Sequence, residues 1–423
     1  MAIRSIDDRA ASRDKLLARY RRVRALTESL AAPLSPEDQT IQSMPDASPT
    51  KWHRAHTTWF FESFVLGPHL AGYQNFHPDY GYLFNSYYEA VGPRHPRPAR
   101  GMLSRPSMTE IANYRAHVDR AMERLIGNAP LADSLAALIE LGLNHEEQHQ
   151  ELILMDIKHA LSLNPLQPAY APARPQARAN APSLVFHDGP SGLAEIGHDD
   201  PSFGFDNEGP RHKVFVAPFR IASRLATSGE YLAFIEAGGY ARPEFWLSDG
   251  WATVQREGWS APLYWTREAG GWTHFTLTGR RLVDPAEPVC HVSYYEADAF
   301  ARWSGKRLPT EAEWESVAAA SGVPLDGNLL DRGLFHPAPA EPGAGQFIGD
   351  VWEWTQSPYV GYPGYRASAD AIGEYNGKFM VNQMVLRGGC AVTPAGHVRF
   401  TYRNFFPPGS RWAFGGIRLA EDA

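Results

Sequence analysis

Apolar residues in the first 163 positions recur at three- and four-residue steps. Leu16, Leu17, Tyr20, Val23, Leu26 and Leu30 trace one such stripe between Arg13 and Leu30, the spacing that gathers side chains on one face of an α-helix. A second helix is predicted to start at Ser48-Pro49, with serine as cap and proline as first helical residue. It carries Trp52, His56, Trp59 and Phe60. A third begins near Ser107 and shows Met108, Ile111, Val118, Met122 and Leu125, and a fourth starts near Leu131 and runs through Leu138, Leu141 and Leu152. Four helices of this length predict a bundle. Between the second and third, Ala71 to Pro106 loses the period and is rich in Tyr, Gly, Pro and Arg. A loop of that length within a compact bundle usually carries function.

The helical period stops at Asn164. Residues 164–182 are mostly Pro, Ala, Gln and Arg, the composition of a linker. From Ser183 to Ala423 the chain is dense in Gly, Pro, Trp and Tyr, with short strand-like runs and a few helices such as Ser293 to Ser304. Thr310 with Glu313 three residues on has the form of a capping box at a helix start. The expected organisation is a helical domain over 1–163, a linker over 164–182 and a mixed, loop-rich α+β domain over 183–423. No internal repeat is present.

The fourth stripe is interrupted by Asn144-His145-Glu146-Glu147-Gln148-His149. Imidazoles four residues apart on a helix stand one above the other and can reach one divalent metal. Both fall on the line of Leu138, Leu141, Leu152 and Asp156, inside the apolar stripe. Two polar rings there are costly without a shared partner; the plainer alternative is a pair hydrogen-bonded inside the bundle. The second helix offers a third ligand, His53 or His56. His56 lies on the line of Trp52 and Phe60, whereas His53 is displaced by about 60° at 100° per residue, and His56 is the expected ligand. Three histidines without a carboxylate leave open positions and suit Fe(II) or Zn(II). His145-Glu146 with His149 also matches the H-E-x-x-H of zinc metallohydrolases, in which Glu146 would be the general base.

Charge and composition narrow the classes. The net charge is −7 and no run of five lysines or arginines occurs, which speaks against nucleic acid as a partner. Cys290 and Cys390, the only two cysteines, cannot build a disulfide framework and suit a reducing compartment. The N-terminus lacks the basic-then-apolar order of a signal peptide, and no stretch of about 18 apolar residues could span a membrane. A cytoplasmic protein is expected. Aromatic residues make up 12% of the chain, in keeping with rigid surfaces that handle a ligand.

Three segments carry a resemblance. Ala55-His56-Thr57, Asn144-His145-Glu146-Glu147-Gln148-His149-Gln150-Glu151 and the C-terminal Leu386-Arg387-Gly388-Gly389 with Gly416-Ile417-Arg418-Leu419-Ala420 together resemble the ergothioneine-biosynthesis sulfoxide synthases. These are non-haem iron enzymes that pair a DinB-like helical bundle with a formylglycine-generating-enzyme-like domain of modified C-type-lectin fold. The likeness runs from about Ala18 to Glu421. Gly81-Tyr82-Leu83-Phe84-Asn85-Ser86-Tyr87-Tyr88-Glu89-Ala90-Val91-Gly92-Pro93-Arg94-His95-Pro96-Arg97-Pro98 resembles the branch in which an adjacent tyrosine pair on the long loop serves the iron.

The resemblance implies that His56, His145 and His149 hold Fe(II) on one face. The remaining sites would serve the imidazole of hercynine (N-trimethylhistidine), a thiolate and the co-substrate O2. The implied product is a hercynyl sulfoxide, made with cysteine or γ-glutamylcysteine. Gln148 would hydrogen-bond the hercynine imidazole. Asn404, Phe405 and Phe406 match the stretch that receives its carboxylate and betaine. Position 406 is Phe where some relatives have an acid, so cation–π contact with Phe405, Phe406 or Trp412 would hold the trimethylammonium. Arg94 and Arg97 would clamp the donor's carboxylates with their planar forks. Tyr87 or Tyr88, a neutral phenol at pH 7, would supply a proton or hydrogen atom.

Gly349-Asp350-Val351-Trp352-Glu353-Trp354-Thr355 and Leu386-Arg387-Gly388-Gly389 are expected to be structural, with tryptophans in the core and glycines in tight turns. Formylglycine-generating enzymes need two closely placed copper-binding cysteines, and Cys290 and Cys390 stand far apart in sequence. Within the resemblance Glu146 becomes a helix-surface residue or a support behind the ligands, which disfavours the metallohydrolase. Selenoneine synthases are similar in both domains and couple hercynine to a selenosugar; the two loop arginines favour a carboxylate-bearing thiol.

Overall fold

A computed structural model describes residues 6–128, 131–174, 180–343, 345–367, 373 and 376–423. Two compact units emerge, one ending at Leu163 and one holding 164–367 and 376–423. Of the expected linker, residues 175–179 lie outside the described residues. Its first half is strapped to the second unit, where the amides of Tyr170 and Ala171 both donate to the Leu277 carbonyl (2.8 and 3.0 Å). Among the described residues no helix is long and apolar enough to cross a membrane.

The first unit is built on four long helices, α1 (Ile6–Ala31), α2 (Thr50–Phe60), α3 (Met108–Asn128) and α4 (Asp133–Leu163). Helix α2 starts later than its sequence suggests. Pro49 is extended (φ −60°, ψ 144°) and occupies the cap position, with no side-chain cap. The proline ring drives Ser48 out of helical geometry too. The Ser48 hydroxyl instead accepts from Arg100 (2.9 Å), and its amide donates to Asp156 (2.8 Å). At its far end α2 runs into a π-helical turn, Phe61–Leu66. There the buried Glu62 accepts from the hydroxyls of Tyr73 and Tyr114 (both 2.7 Å) and ties the start of the long loop to α3.

Helix α4 buries two adjoining faces. Leu138, Leu141 and Leu152, on the histidine line, are half-buried, whereas Ile139, Leu143, Gln150 and Ile153 beside them are fully buried. The deepest face is therefore turned toward α1, where the Gln150 amide donates to the Val23 carbonyl (2.8 Å). One turn before His145, Gly142 lets α2 come close. A Cβ at that position would stand 2.7 Å from ring atoms of both Phe60 and Phe61, a clash that real packing does not tolerate.

Glu146 was expected at the helix surface or behind the metal ligands, and the structure rules out the surface. It is wholly buried and accepts from Arg24 of α1 (2.8 Å), Thr27 of α1 (2.7 Å) and Arg115 of α3 (3.0 Å). Arg24 also reaches Thr58 of α2 (2.9 Å) and Asp119 of α3 (2.7 Å). This one network joins all four helices.

The second unit is assembled from short strands. β1 (Phe186–Asp188), β4 (Phe219–Ala222) and β12 (Ala420–Asp422) form a sheet that brings the first and last strands together on β4. β2 (Gly192–Ile196) and β3 (His212–Val216) pair as a hairpin, and β5 (Trp265–Glu268), β6 (Gly271–Thr276) and β7 (Gly279–Leu282) form a meander. β8 (Trp352–Pro358), β9 (Met384–Arg387), β10 (Asn404–Phe406) and β11 (Gly415–Gly416) make the fourth sheet, in the order β10-β9-β8-β11. Helices α5 (Ser228–Glu236), α6 (Ser248–Glu257), α7 (Tyr294–Trp303) and α8 (Glu311–Ala320) pack around them. Thr310 and Glu313 close the expected capping box on α8, as do Ser293 and Glu296 on α7. Trp314, Trp352 and Trp354 fill the core, and the buried Glu353 pairs with Arg418 (2.6 Å) and accepts from the Trp314 indole (2.8 Å). Gly388 has φ +100°, and a Cβ there would lie 2.6 Å from the Phe347 carbonyl oxygen. This half is the mixed α+β domain that the composition predicts.

Burial alone would raise the pKa of Glu146, but Arg24, Arg115 and the hydrogen bonds outweigh it and hold the group at about 2, below its ordinary 4.5. A lowered folded-state pKa contributes stability above the ordinary value, and that stability is lost as pH falls from 4.5 to about 2. At about 1.36 kcal/mol per unit the contribution is on the order of 3 kcal/mol. Glu146→Gln should remove this component of the acid transition. It should also cost roughly 3–5 kcal/mol at neutral pH by removing the buried counter-charge that Arg24 and Arg115 share. Thermal denaturation of both proteins between pH 7 and pH 2 checks this; equal stability at neutral pH would refute it.

Candidate metal centre

Helices α2 and α4 bring His56, His145 and His149 together. One ring nitrogen from each lies within 4.8 Å of the others, and all three residues are buried. The ring centroids are 4.6–5.0 Å apart at steep mutual angles, 58–84°, so the rings converge on a point and do not stack on one another.

Hydrogen bonds behind the rings decide which nitrogen faces inward. His56 Nδ1 lies 2.6 Å from the Phe84 carbonyl oxygen. A carbonyl only accepts, so Nδ1 carries the proton and Nε2 keeps its lone pair. That Nε2 is buried with no hydrogen-bond partner, an expensive state for a lone pair and a fitting one for a metal ligand. His149 Nδ1 lies 2.8 Å from His53 Nδ1, and His53 Nε2 lies 3.0 Å from an Asp156 carboxylate oxygen. With the His53 proton on Nε2, its Nδ1 accepts from His149, and the lone pair of His149 Nε2 is left for the centre. Carboxylate-to-histidine relays of this kind orient metal ligands.

Burial first, and then the neighbouring charges, hold His56 and His149 well below the ordinary histidine pKa; burial pushes His145 down to about 3. All three are neutral at pH 7, the form that binds a metal. The donor set therefore fits a divalent transition ion. His53 supports this face and does not join the ligand nitrogens.

The ring of His56 is clamped along α2. It stacks on Trp52 (4.6 Å, 12°) and on Trp59 (5.4 Å, 16°), one helical turn to either side. The guanidinium of Arg100 lies 3.3 Å above the Trp52 ring. Arg100 is buried, donates to the hydroxyls of Ser48 (2.9 Å) and Ser86 (3.2 Å), and is depressed in pKa by burial and then by Arg97. Sequence reading misses Arg100 as part of this site, and it misses the supporting role of His53 and Asp156. A signal existed for the first. Arg94, Arg97 and Arg100 recur every three residues, the period of the 3₁₀ helix Arg97–Met102 in which the latter two lie.

Tyr88 is buried against Trp59 (5.7 Å), Phe64 (5.1 Å) and Tyr87 (4.9 Å), one ring removed from His56. Asn85 shapes that loop, donating to the carbonyls of Tyr88 and Gly92 (both 3.0 Å). Tyr87 and Gln148 are half-buried. Arg94 pairs with Glu89, and the exposed Arg97 donates to the Asp46 carbonyl. Neither arginine touches the histidines.

In the second unit, Asn404, Phe405 and Phe406 form β10 beside β9. Phe405 stacks on Tyr359 (4.0 Å, 11°), so that ring face is taken and cannot meet a cation. Phe406 meets Trp412 edge-on (5.6 Å), and the Trp412 indole N–H is buried with no hydrogen-bond partner. Cys290 and Cys390 are both buried. The metallohydrolase reading fails on Glu146, whose two carboxylate oxygens are taken up by Arg24, Thr27 and Arg115 and are not offered as a base.

Residues 19–153 match the DinB superfamily, and residues 170–335 and 332–423 match the Sulfatase-modifying factor enzyme 1-like domain. A hercynine oxygenase of Mycobacterium tuberculosis is 34% identical over 97% of this chain and 99% of that protein. The hercynine oxygenase of Mycolicibacterium thermoresistibile is 33% identical over 78% of each. A formylglycine-generating enzyme of Streptomyces coelicolor is 30% identical over 52% of this chain and 82% of that protein. With both domains present in this order and likeness along nearly the whole length, the chain is an oxidoreductase that belongs to the hercynine oxygenase family.

Proposed function

We propose that the protein joins sulfur to the imidazole of hercynine in an Fe(II)- and O2-dependent oxidation, giving a hercynyl sulfoxide in ergothioneine biosynthesis. The observation that carries this reading is the convergence of three buried, neutral imidazoles, with the ring orientation of two of them set by partners behind. His56, His145 and His149 would hold the iron. Bound there, Fe(II) would supply one-electron redox chemistry and open coordination positions. The Trp52 and Trp59 faces keep the His56 ring from turning, and Asp156 acting through His53 does the same for His149. Tyr87 or Tyr88 would move a proton from its phenol oxygen during oxidation. Gln148, adjacent to His149, would bond the hercynine imidazole. Arg94 and Arg97, with Arg100 continuing the row, would receive the carboxylate of cysteine or γ-glutamylcysteine.

Metal analysis tests the ligands. His145→Ala should lose iron and turnover together, whereas His53→Ala should keep a site weakened by about 10- to 100-fold. Retention of iron by His56→Ala together with its complete loss from His53→Ala would reverse the assignment.

Replacing Tyr87 or Tyr88 with Phe should slow sulfoxide formation or divert turnover to thiol oxidation, with hercynine affinity near wild type. Product ratios by mass spectrometry report this. Unchanged rates in both single variants and the double variant would remove the tyrosines from the chemistry.

Arg97→Ala should raise the KM for the thiol donor about ten- to a hundredfold, the value of a charge-assisted bond, and leave that for hercynine unchanged. If the wild-type protein ignores both thiols and couples a selenosugar to hercynine, a selenoneine synthase replaces this reading.

A further inference from the structure

A second group of metal-competent side chains lies wholly within the second unit. His274, Glu287 and His336 are buried, and one donor atom from each falls within 4.8 Å of the others. His274 stands on the central strand of its meander, β6, directly across from Arg281 on β7. Glu287 follows β7, where its backbone carbonyl accepts from the Ser228 amide (2.7 Å) at the start of α5. His336 sits in a loop held by Asn328, which donates to the His336 carbonyl (2.9 Å) and to Asp350 (2.7 Å). The preceding Phe335 has φ +53°, a conformation that a bulky residue adopts only when its surroundings impose it. Three separate segments are thus fixed so that their donor groups meet.

The spacing suits an ion. His336 Nε2 and a Glu287 carboxylate oxygen are 3.2 Å apart, and the His274 and His336 rings meet edge to face at 4.9 Å. Ligand atoms around one ion at bond lengths of about 2.0–2.2 Å lie ~3–3.5 Å from one another. Small rotamer changes therefore close the triad. Two imidazoles and one carboxylate form an open donor set that divalent zinc, cobalt and iron all accept. A cavity of about 620 Å³, whose walls include Arg281, Asp284, Glu287 and His336, gives an ion a way in.

One cation already competes for the carboxylate. Arg281 donates from one terminal nitrogen to both oxygens of Glu287 (2.8 and 2.7 Å), and its side chain is 34% exposed. We propose that His274, Glu287 and His336 form a second metal site, selective for a divalent transition ion and distinct from the three-histidine centre, with Arg281 occupying the carboxylate until the ion displaces it. A divalent ion and a guanidinium repel each other at this range, so binding requires Arg281 to swing into the cavity.

Co2+ titration of the full chain, followed by visible absorption and by metal content after gel filtration, tests this. The wild type should take up two equivalents, and His145→Ala one. Glu287→Gln or His336→Gln should lose the second equivalent and keep the first. Arg281→Met removes the competing cation without touching a ligand, and should tighten the second site by at least about tenfold. Zn2+ should displace the Co2+ spectrum from both centres. A wild type that takes up a single equivalent in Co2+ excess overturns the proposal. So does an Arg281→Met variant that binds no tighter, or a second equivalent that survives in folded His336→Gln.

Discussion

A buried carboxylate, Glu146, is next in sequence to His145 and is enclosed by Arg24 of α1 and Arg115 of α3. Charges taken out of water must be matched nearly atom for atom. This network is matched across four helices, since Arg24 also reaches Thr58 and Arg115 reaches the Arg54 carbonyl on α2. The consequence is rotational. A helix whose polar groups are committed in this way cannot turn about its axis, so α4 keeps His145 and His149 toward α2 while α1 and α3 hold Glu146. Helix α2, gripped through Thr58 and Arg54, presents His56 to them. Gly142 then sets how near the two backbones come.

Behind the histidines the same economy of orientation continues at atomic scale. A metal ligand must offer a lone pair in a fixed direction, and an imidazole ring has two nitrogens and a free χ2. The Phe84 carbonyl and the Asp156–His53 relay choose the nitrogen, while the two tryptophans choose the ring plane. These partners come from a short helix within the long loop, Tyr80–Phe84, from the far end of α4 and from α2 itself. The loop Ala71 to Pro106 is thus part of the frame of the three-histidine group as well as a carrier of Tyr87 and Tyr88.

Much of this was legible because a helix writes its faces into the sequence every three or four residues. The bundle, the convergence of His56 with His145 and His149, and the capping box at Thr310 all follow from local spacing. What failed to show is non-local. Glu146 reads as part of a short motif, and its true partners lie 122 and 31 residues away. Ser48 has the right type for a cap, but its hydroxyl is used by Arg100, 52 residues on. In the second unit β4 pairs with β12 through Ile221 and Ala420, a register that no turn signal announces. His274, Glu287 and His336 lack any motif spacing, because a meander strand, a turn and a distant loop supply one each.

The sandwich of Trp52, His56 and Trp59 has an optical consequence. Two indoles lie against the faces of one prospective ligand ring, in a site too buried for solvent to compete for their excited states. A transition ion with a partly filled d shell held by His56 would drain that fluorescence by energy or electron transfer, whereas filled-shell zinc would leave it bright. An ion bound there would therefore report its own identity through these two indoles, in the near ultraviolet, without label, substrate or turnover.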